Sequence, residues 1–188
     1  MTHAQCGDAA RLVETRRTPM TYQEVALHLA RSHWEVFGEA PTSNRLGVAW
    51  AQVMLETGRG TKLWGYNFGN IICSPHWMGE FQVLRDEVGG PANYRAYPTA
   101  DAGAAGYWKL LRRRYGAALA FFDRGQPEAA ARELHRLGYF TAAPEPVAKT
   151  FGALYAEFNE RFARPSWAGM LAPLALIAVG YATKKASA

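Results

Sequence analysis

The sequence has no internal repeat, no low-complexity run and only two cysteines among its 188 residues. The first two absences exclude a repeat array. Cys6 and Cys73 are too few for a disulfide framework. They read as two buried or free thiols rather than one bridge, and neither has the paired spacing of a metal site. His28, His33, His76 and His135 likewise show no ligand pattern, so no metal or cofactor is expected. The first twenty residues are polar and charged and lack the apolar core of a secretion signal. Acid is scarce in the middle of the chain. Apart from Glu56, no Asp or Glu occurs between Glu39 and Glu80.

What is present argues for a folded protein. Apolar residues make up 49% of the chain and aromatics 13%, enough for a core and too many for a disordered chain. The organisation reads as a loose leader over 1–18, one domain over 19–165 and an apolar tail over 166–188. The net charge of +5 favours an anionic partner: nucleic acid, a membrane surface or an acidic polymer. The aromatics are not interleaved with the basic residues as a strand-tracking groove requires, so no nucleic-acid partner is expected.

Thr21-Tyr22-Gln23-Glu24 forms a capping box, and the helix it opens runs to about Phe37, with Val25, Leu29 and Val36 facing the core. Gly38 ends it. Ser43 or Asn44 caps a second helix, in which Leu46, Ala49, Trp50, Val53 and Met54 fall near helical spacing. That helix delivers Glu56 to its C-terminal end, where the helix dipole tends to raise a carboxylate's pKa. Gly58 and Gly60 then stop it. An acid there, beside an aromatic loop (Trp64, Tyr66, Phe68), suits a group that must hold or give up a proton in a partly dry place.

Residues 61–98 lose helical periodicity. Residues 79–84 alternate weakly, and Val88-Gly89-Gly90-Pro91 is a turn signal. A small β-hairpin is expected, its second arm near 93–96. Thr99 caps a third helix to about Tyr115, rich in small residues and therefore expected to be central. A short helix over 116–122, one opening at Pro127 as N1, and a last one after Pro144 and Pro146 complete the chain. Arg112-Arg113-Arg114 reads as a solvated helix end that favours the dipole. Residues 167–182 carry no charge but include Pro173, and a spanning helix needs about 20 apolar residues. The segment reads as a packing element or as an anchor to a membrane or partner.

Four segments carry a resemblance. Residues 51–60, Ala-Gln-Val-Met-Leu-Glu-Thr-Gly-Arg-Gly, resemble the catalytic helix end of the flagellar-type β-N-acetylglucosaminidases, glycoside hydrolase family 73 of the lysozyme-like superfamily. Tyr66-Asn67-Phe68-Gly69-Asn70-Ile71 is similar to the family's Asn-aromatic-Gly-Ile loop. Tyr94-Arg95-Ala96-Tyr97 is similar to its Phe-Arg-Ala-Tyr segment, and Gly138-Tyr139-Phe140-Thr141 to its Gly-Tyr-x-Thr loop. The order agrees over about residues 20–163. The loop reads Phe-Gly-Asn-Ile where the family has Leu-Phe-Gly-Ile, and the hairpin is shortened after Glu87.

The resemblance implies an α+β, mostly α-helical, lysozyme-like fold with a small β-hairpin lobe over a cleft. It implies a peptidoglycan hydrolase cutting β-1,4 bonds of the glycan strand, with Glu56 as general acid. Glu87 best fits the family's second carboxylate, with Glu80 and Asp86 as alternatives. Asn67 and Phe68 would shape the cleft floor, and Tyr97 and Tyr139 match its cleft tyrosines. The expected partner is the glycan strand, reached in the periplasm or wall by a phage-like particle or a dedicated export machine, or by a tether through residues 167–182. Lytic transglycosylation and a non-cutting, wall-binding or structural module are the alternatives.

Overall fold

The computed structural model describes residues 6–85 and 89–162. Its elements run β1 (Arg11–Leu12), α1 (Tyr22–Phe37), α2 (Ser43–Glu56), β2 (Glu80–Arg85), β3 (Pro91–Arg95), α3 (Ala100–Arg114), α4 (Gly116–Asp123), α5 (Pro127–Arg136) and α6 (Pro144–Phe162). The capping box is formed: the Glu24 amide donates to Thr21 Oγ1, and the Thr21 amide donates to the Glu24 carboxylate. Thr42, one residue earlier than expected, caps α2 by accepting from the Arg45 amide. Thr99 caps α3, and Pro127 occupies the first turn of α5.

The small residues of α3 predict a central helix, but that place belongs to α2. Val48, Ala49, Trp50, Ala51, Val53 and Met54 have no exposed surface, because α1, α4, α5 and α6 all pack around them. A helix apolar on every side belongs in a core. In α3 the small residues serve another purpose. A Cβ on Gly103 would run into the Tyr66 carbonyl, so glycine here lets α3 lie directly on the aromatic loop.

The hairpin is found where the alternation places it, with β2 and β3 antiparallel and Phe81 opposite Arg95. The N-terminal segment was not expected beside it. Residues 6–18 are not a loose leader: β1 adds to β2 in parallel, Arg11 opposite Glu80 and Leu12 opposite Phe81. Further along, the Gly7 amide donates to the Trp77 carbonyl at 2.9 Å and the Thr18 amide to the Leu63 carbonyl at 2.8 Å. An otherwise open edge of β2 has amides and carbonyls to satisfy, and this segment supplies the partners.

The same pairing corrects the reading of the cysteines. Cys6 and Cys73 form a disulfide. Two cysteines far apart in sequence carry no pairing signal; it is the docking of residues 7–13 along residues 77–81 that sets them side by side. Among the described residues no helix is long and apolar enough to cross a membrane. The tail segment 167–182 lies outside the described residues, as do Asp86 and Glu87.

Candidate active site

Glu56 is the last residue of α2. The chain leaves the helix through three consecutive left-handed residues, Gly58, Arg59 and Gly60 (φ 53°, 60° and 80°), a path glycine takes at little cost. Buried Thr57 staples this turn. Its hydroxyl donates to the Val53 carbonyl at 2.6 Å and accepts from the Gly60 amide at 3.0 Å. Arg59 reaches outward and pairs with Glu157 of α6 at 2.6 Å. The end of α2 is therefore fixed on both sides of Glu56.

The loop over residues 64–71 then passes in front of Glu56. Asn67 is 2% exposed and holds the loop from inside. Its amide donates to the carbonyls of Ile71 and Arg95, at 2.9 and 3.0 Å, and its Oδ1 accepts from the Ile71 amide at 2.8 Å. Held this way, the loop presents Asn70, at φ 45°. Asn70 Nδ2 donates to the Glu56 carbonyl at 2.5 Å and stands 3.4 Å from its carboxylate.

Two tyrosines stand close enough to feel the Glu56 charge. The Tyr107 hydroxyl, fully buried, donates to Gln52 Oε1 at 2.7 Å. Burial pushes its phenol well above the ordinary value, and the Glu56 charge adds to that. The Tyr139 hydroxyl donates to the Gly69 carbonyl at 2.9 Å. Its phenol is raised for the same two reasons in the same order.

Glu56 adjoins an open groove of about 590 Å³ through Asn70 and Tyr139, which both line it. Ile71, Ile72 and Trp77 form one wall, and Gly106, Lys109 and Arg113 of α3 form the other. Tyr97 is not among the described lining residues; it is 6% exposed and meets the groove through Trp77, its ring edge-on to that one at 5.5 Å. Burial pushes its phenol up, opposed by the positive charge of Arg95. A larger hollow of about 670 Å³, between Gln23 and Phe162, contains none of these residues.

Of the residues singled out, Tyr139 lines the groove and Glu56 stands behind it, next to Asn70 and Tyr139, whereas Tyr97 lines a separate hollow of about 520 Å³ with Val13, Arg16 and Gln82. Asn67 acts behind the groove as a brace, and Phe68 has no exposed surface and belongs to the core. Glu80 is turned toward β1 and paired with Arg11. Glu87 lies outside the described residues. Two neighbours of Glu56 were not singled out from sequence. Asn70 carried a local signal, since asparagine tolerates the left-handed region better than most residues. Tyr107 carried none, because its closeness to Glu56 depends on how α3 crosses α2.

A half-buried carboxylate one residue behind a groove that mixes aromatic and polar groups is within reach of delivering a proton to an oxygen of a bound polar polymer. No protein-family model matches the chain, and no curated protein matches it by sequence. Solved structures do match. The peptidoglycan hydrolase from Sphingomonas sp. A1 superposes with a TM-score of 0.60 at 21% identity, over 75% of this chain and 92% of that one. The glycoside hydrolase domain of Salmonella typhimurium FlgJ superposes with a TM-score of 0.55 at 18% identity, over 84% of this chain and 98% of that one. The chain therefore shares the fold of these proteins, and the mostly helical, lysozyme-like architecture with its small sheet is borne out.

Proposed function

We propose that this chain is a peptidoglycan glycosidase of the flagellar-type β-N-acetylglucosaminidase family, with Glu56 as its general acid. The observation that carries the reading is the placement of Glu56: at a helix end, held by Asn70, beside a groove. The fold shared with two wall-acting or glycoside hydrolases supports it, and so do the four ordered sequence motifs.

In this reading a glycan strand lies along the groove with a β-1,4 glycosidic oxygen at Glu56. The protonated carboxyl gives its proton to the leaving oxygen as the bond to the anomeric carbon breaks. The cationic sugar that results must be stabilised, attacked or hydrated from its other side. Glu87 is our candidate for the carboxylate that directs this step. Tyr139 would border the sugars, and Trp77, with Tyr97 edge-on to it, offers an aromatic face for stacking. The protein would act in the periplasm or wall, with residues 167–182 as a tether to a membrane or a delivery particle.

The test is digestion of purified peptidoglycan by the wild type and by Glu56→Gln, with mass spectrometry of the products. Reducing N-acetylglucosamine ends in the wild-type digest alone support the reading. Reducing N-acetylmuramic acid ends would move the cut to the other bond, and 1,6-anhydro ends would make the protein a lytic transglycosylase. No products from folded, wall-bound wild type would leave a binding module.

A further inference from the structure

Apart from Glu56 itself, which stands behind the groove, the formal charges on its described lining are all positive. Arg95, Lys109, Arg113 and Arg114 all line the groove, and among the described residues no Asp or Glu does. Most arginines elsewhere that reach a carboxylate are spent on it, as in Arg45–Asp123, Arg59–Glu157 and Arg132–Glu145. The three groove arginines form no ion pair with a described residue. The Arg95 guanidinium lies over the Trp77 ring at 4.5 Å, and its buried Nε makes no hydrogen bond among the described residues. Among the described residues Lys109 pairs with Glu35 alone, at 3.6 Å between two exposed side chains, a contact worth little. Dipole compensation at the end of α3 does not account for the set. Arg112 is turned away and donates to the Val36 carbonyl at 2.7 Å, whereas Arg113 and Arg114 border the groove.

Resting on the glycosidase reading, we propose that this cationic wall is a subsite for the carboxylates carried on the lactyl arm of the muramyl sugar. The N-acetylated glycan backbone is itself uncharged, so it gives four cations nothing to neutralise. Its charge is on that arm: a free lactyl carboxylate where the stem peptide has been removed, or the stem's own acidic residues where it is present. Guanidinium groups match a planar carboxylate with two parallel hydrogen bonds, and such bonds are the strong ones. With Glu56 behind Asn70 and Tyr139 and the cations supplied by Arg95 of β3 and by α3, the strand would be held in register by its side arm while the bond is presented to the acid.

The experiment measures binding, so it does not depend on cutting. The full chain with Glu56→Gln is titrated with three probes: a glycan dimer of disaccharides bearing the stem peptide, the same strand with the stem removed to leave the lactyl carboxylate, and a neutral N-acetylglucosamine oligomer of equal length. The titrations are repeated after adding Arg113→Gln and Arg114→Gln, exposed positions whose change leaves the unfolding midpoint within about 2 °C. The expected result is a loss of about tenfold or more for a carboxylate probe and less than about twofold for the neutral oligomer. A loss confined to the stem-bearing probe assigns the carboxylates to the peptide, a loss confined to the stem-free strand assigns the lactyl carboxylate, and a loss for both shows that the arginines take a carboxylate from either source. Unchanged affinity for both charged probes, equal loss for the neutral oligomer, or no binding of a charged probe to the unmodified groove overturns the proposal. Carboxylate binding by a chain that never cuts wall would retain this subsite while the glycosidase reading failed.

Discussion

The side-chain amide of Asn70 spans both ends of Glu56, donating to its main-chain carbonyl at 2.5 Å and standing 3.4 Å from its carboxylate. One residue thus closes the end of α2 and aims the acid that α2 delivers. Asn70 sits in the left-handed region, so glycine is the replacement that removes the amide without adding backbone strain. Asn70→Gly is expected to keep the fold and lower kcat for wall digestion about tenfold or more, the scale of one hydrogen bond to a charged group. Rates measured beside an unfolding curve check this. Wild-type kcat in the folded variant would contradict an aiming role.

Tyr139→Phe removes a donor from the Gly69 carbonyl and leaves the ring on Tyr115 at 5.0 Å. The expected loss of stability is about 1 kcal/mol, read as a lower denaturant midpoint with an unchanged slope. Activity falls with it, because Gly69 immediately precedes Asn70. A variant with full activity and full stability would show that the hydroxyl is idle.

Gly103→Ala brings a methyl group against the Tyr66 carbonyl. Backbone must move, at an expected cost of about 1–3 kcal/mol. Thermal unfolding reads the loss. A stability equal to wild type would mean that α3 does not press on the aromatic loop as described.

Reduction of the Cys6–Cys73 bridge unties Cys6 from Cys73, which lines the groove, and leaves residues 7–18 held by the β1–β2 pairing and their backbone hydrogen bonds alone. The bridge spans a sequence separation of 67 residues, and losing such a bond typically costs about 2–5 kcal/mol. A reductant, or Cys6→Ser with Cys73→Ser, should lower the unfolding midpoint by several degrees. No change in midpoint would mean that the pairing contributes nothing in solution.

His33 has no exposed surface, and burial holds its imidazole below the ordinary value. The Glu39 carbonyl opposes this, the Arg45 charge reinforces it, and the charges of Glu39 and Asp123 oppose it. With the folded value depressed, the unfolded chain takes up the proton first as pH falls. Stability from this site is complete above the ordinary histidine range near 6.5 and is lost as pH drops below it. Unfolding midpoints between pH 8 and pH 5 should therefore fall, and the slope should shrink in a folded His33→Gln variant. An equal slope in both proteins would remove His33 as its source.

The legible parts of this structure are local ones. The capping box at Thr21, the delivery of Glu56 to a helix end, and the hairpin with its turn at residues 89–90 follow from spacing within a few residues of chain. The illegible parts are contacts between distant segments. Nothing in residues 6–18 announces a strand, because β1 is two residues long and exposed; it exists because β2 has an edge. The two cysteines meet for the same reason. In the site, Glu56 and the glycines after it could be read directly, and the left-handed Asn70 nearly so. The cationic groove could not: Arg95 comes from β3, Lys109 and Arg113 from α3, and only the packing of α3 beside the loop puts them on one groove. Arg113 and Arg114, read from sequence as part of a solvated run, are distinguished from Arg112 only by the side of α3 they leave from.

The most direct test of the account is the rate of dye release from labelled peptidoglycan by Glu56→Gln, set against its binding to the same material. The substitution keeps shape and removes the transferable proton. The account requires wild-type binding, a wild-type unfolding midpoint and a release rate at least about a hundredfold lower, the scale of a positioned proton donor. Release at the wild-type rate from the folded variant would contradict it and remove Glu56 from the chemistry.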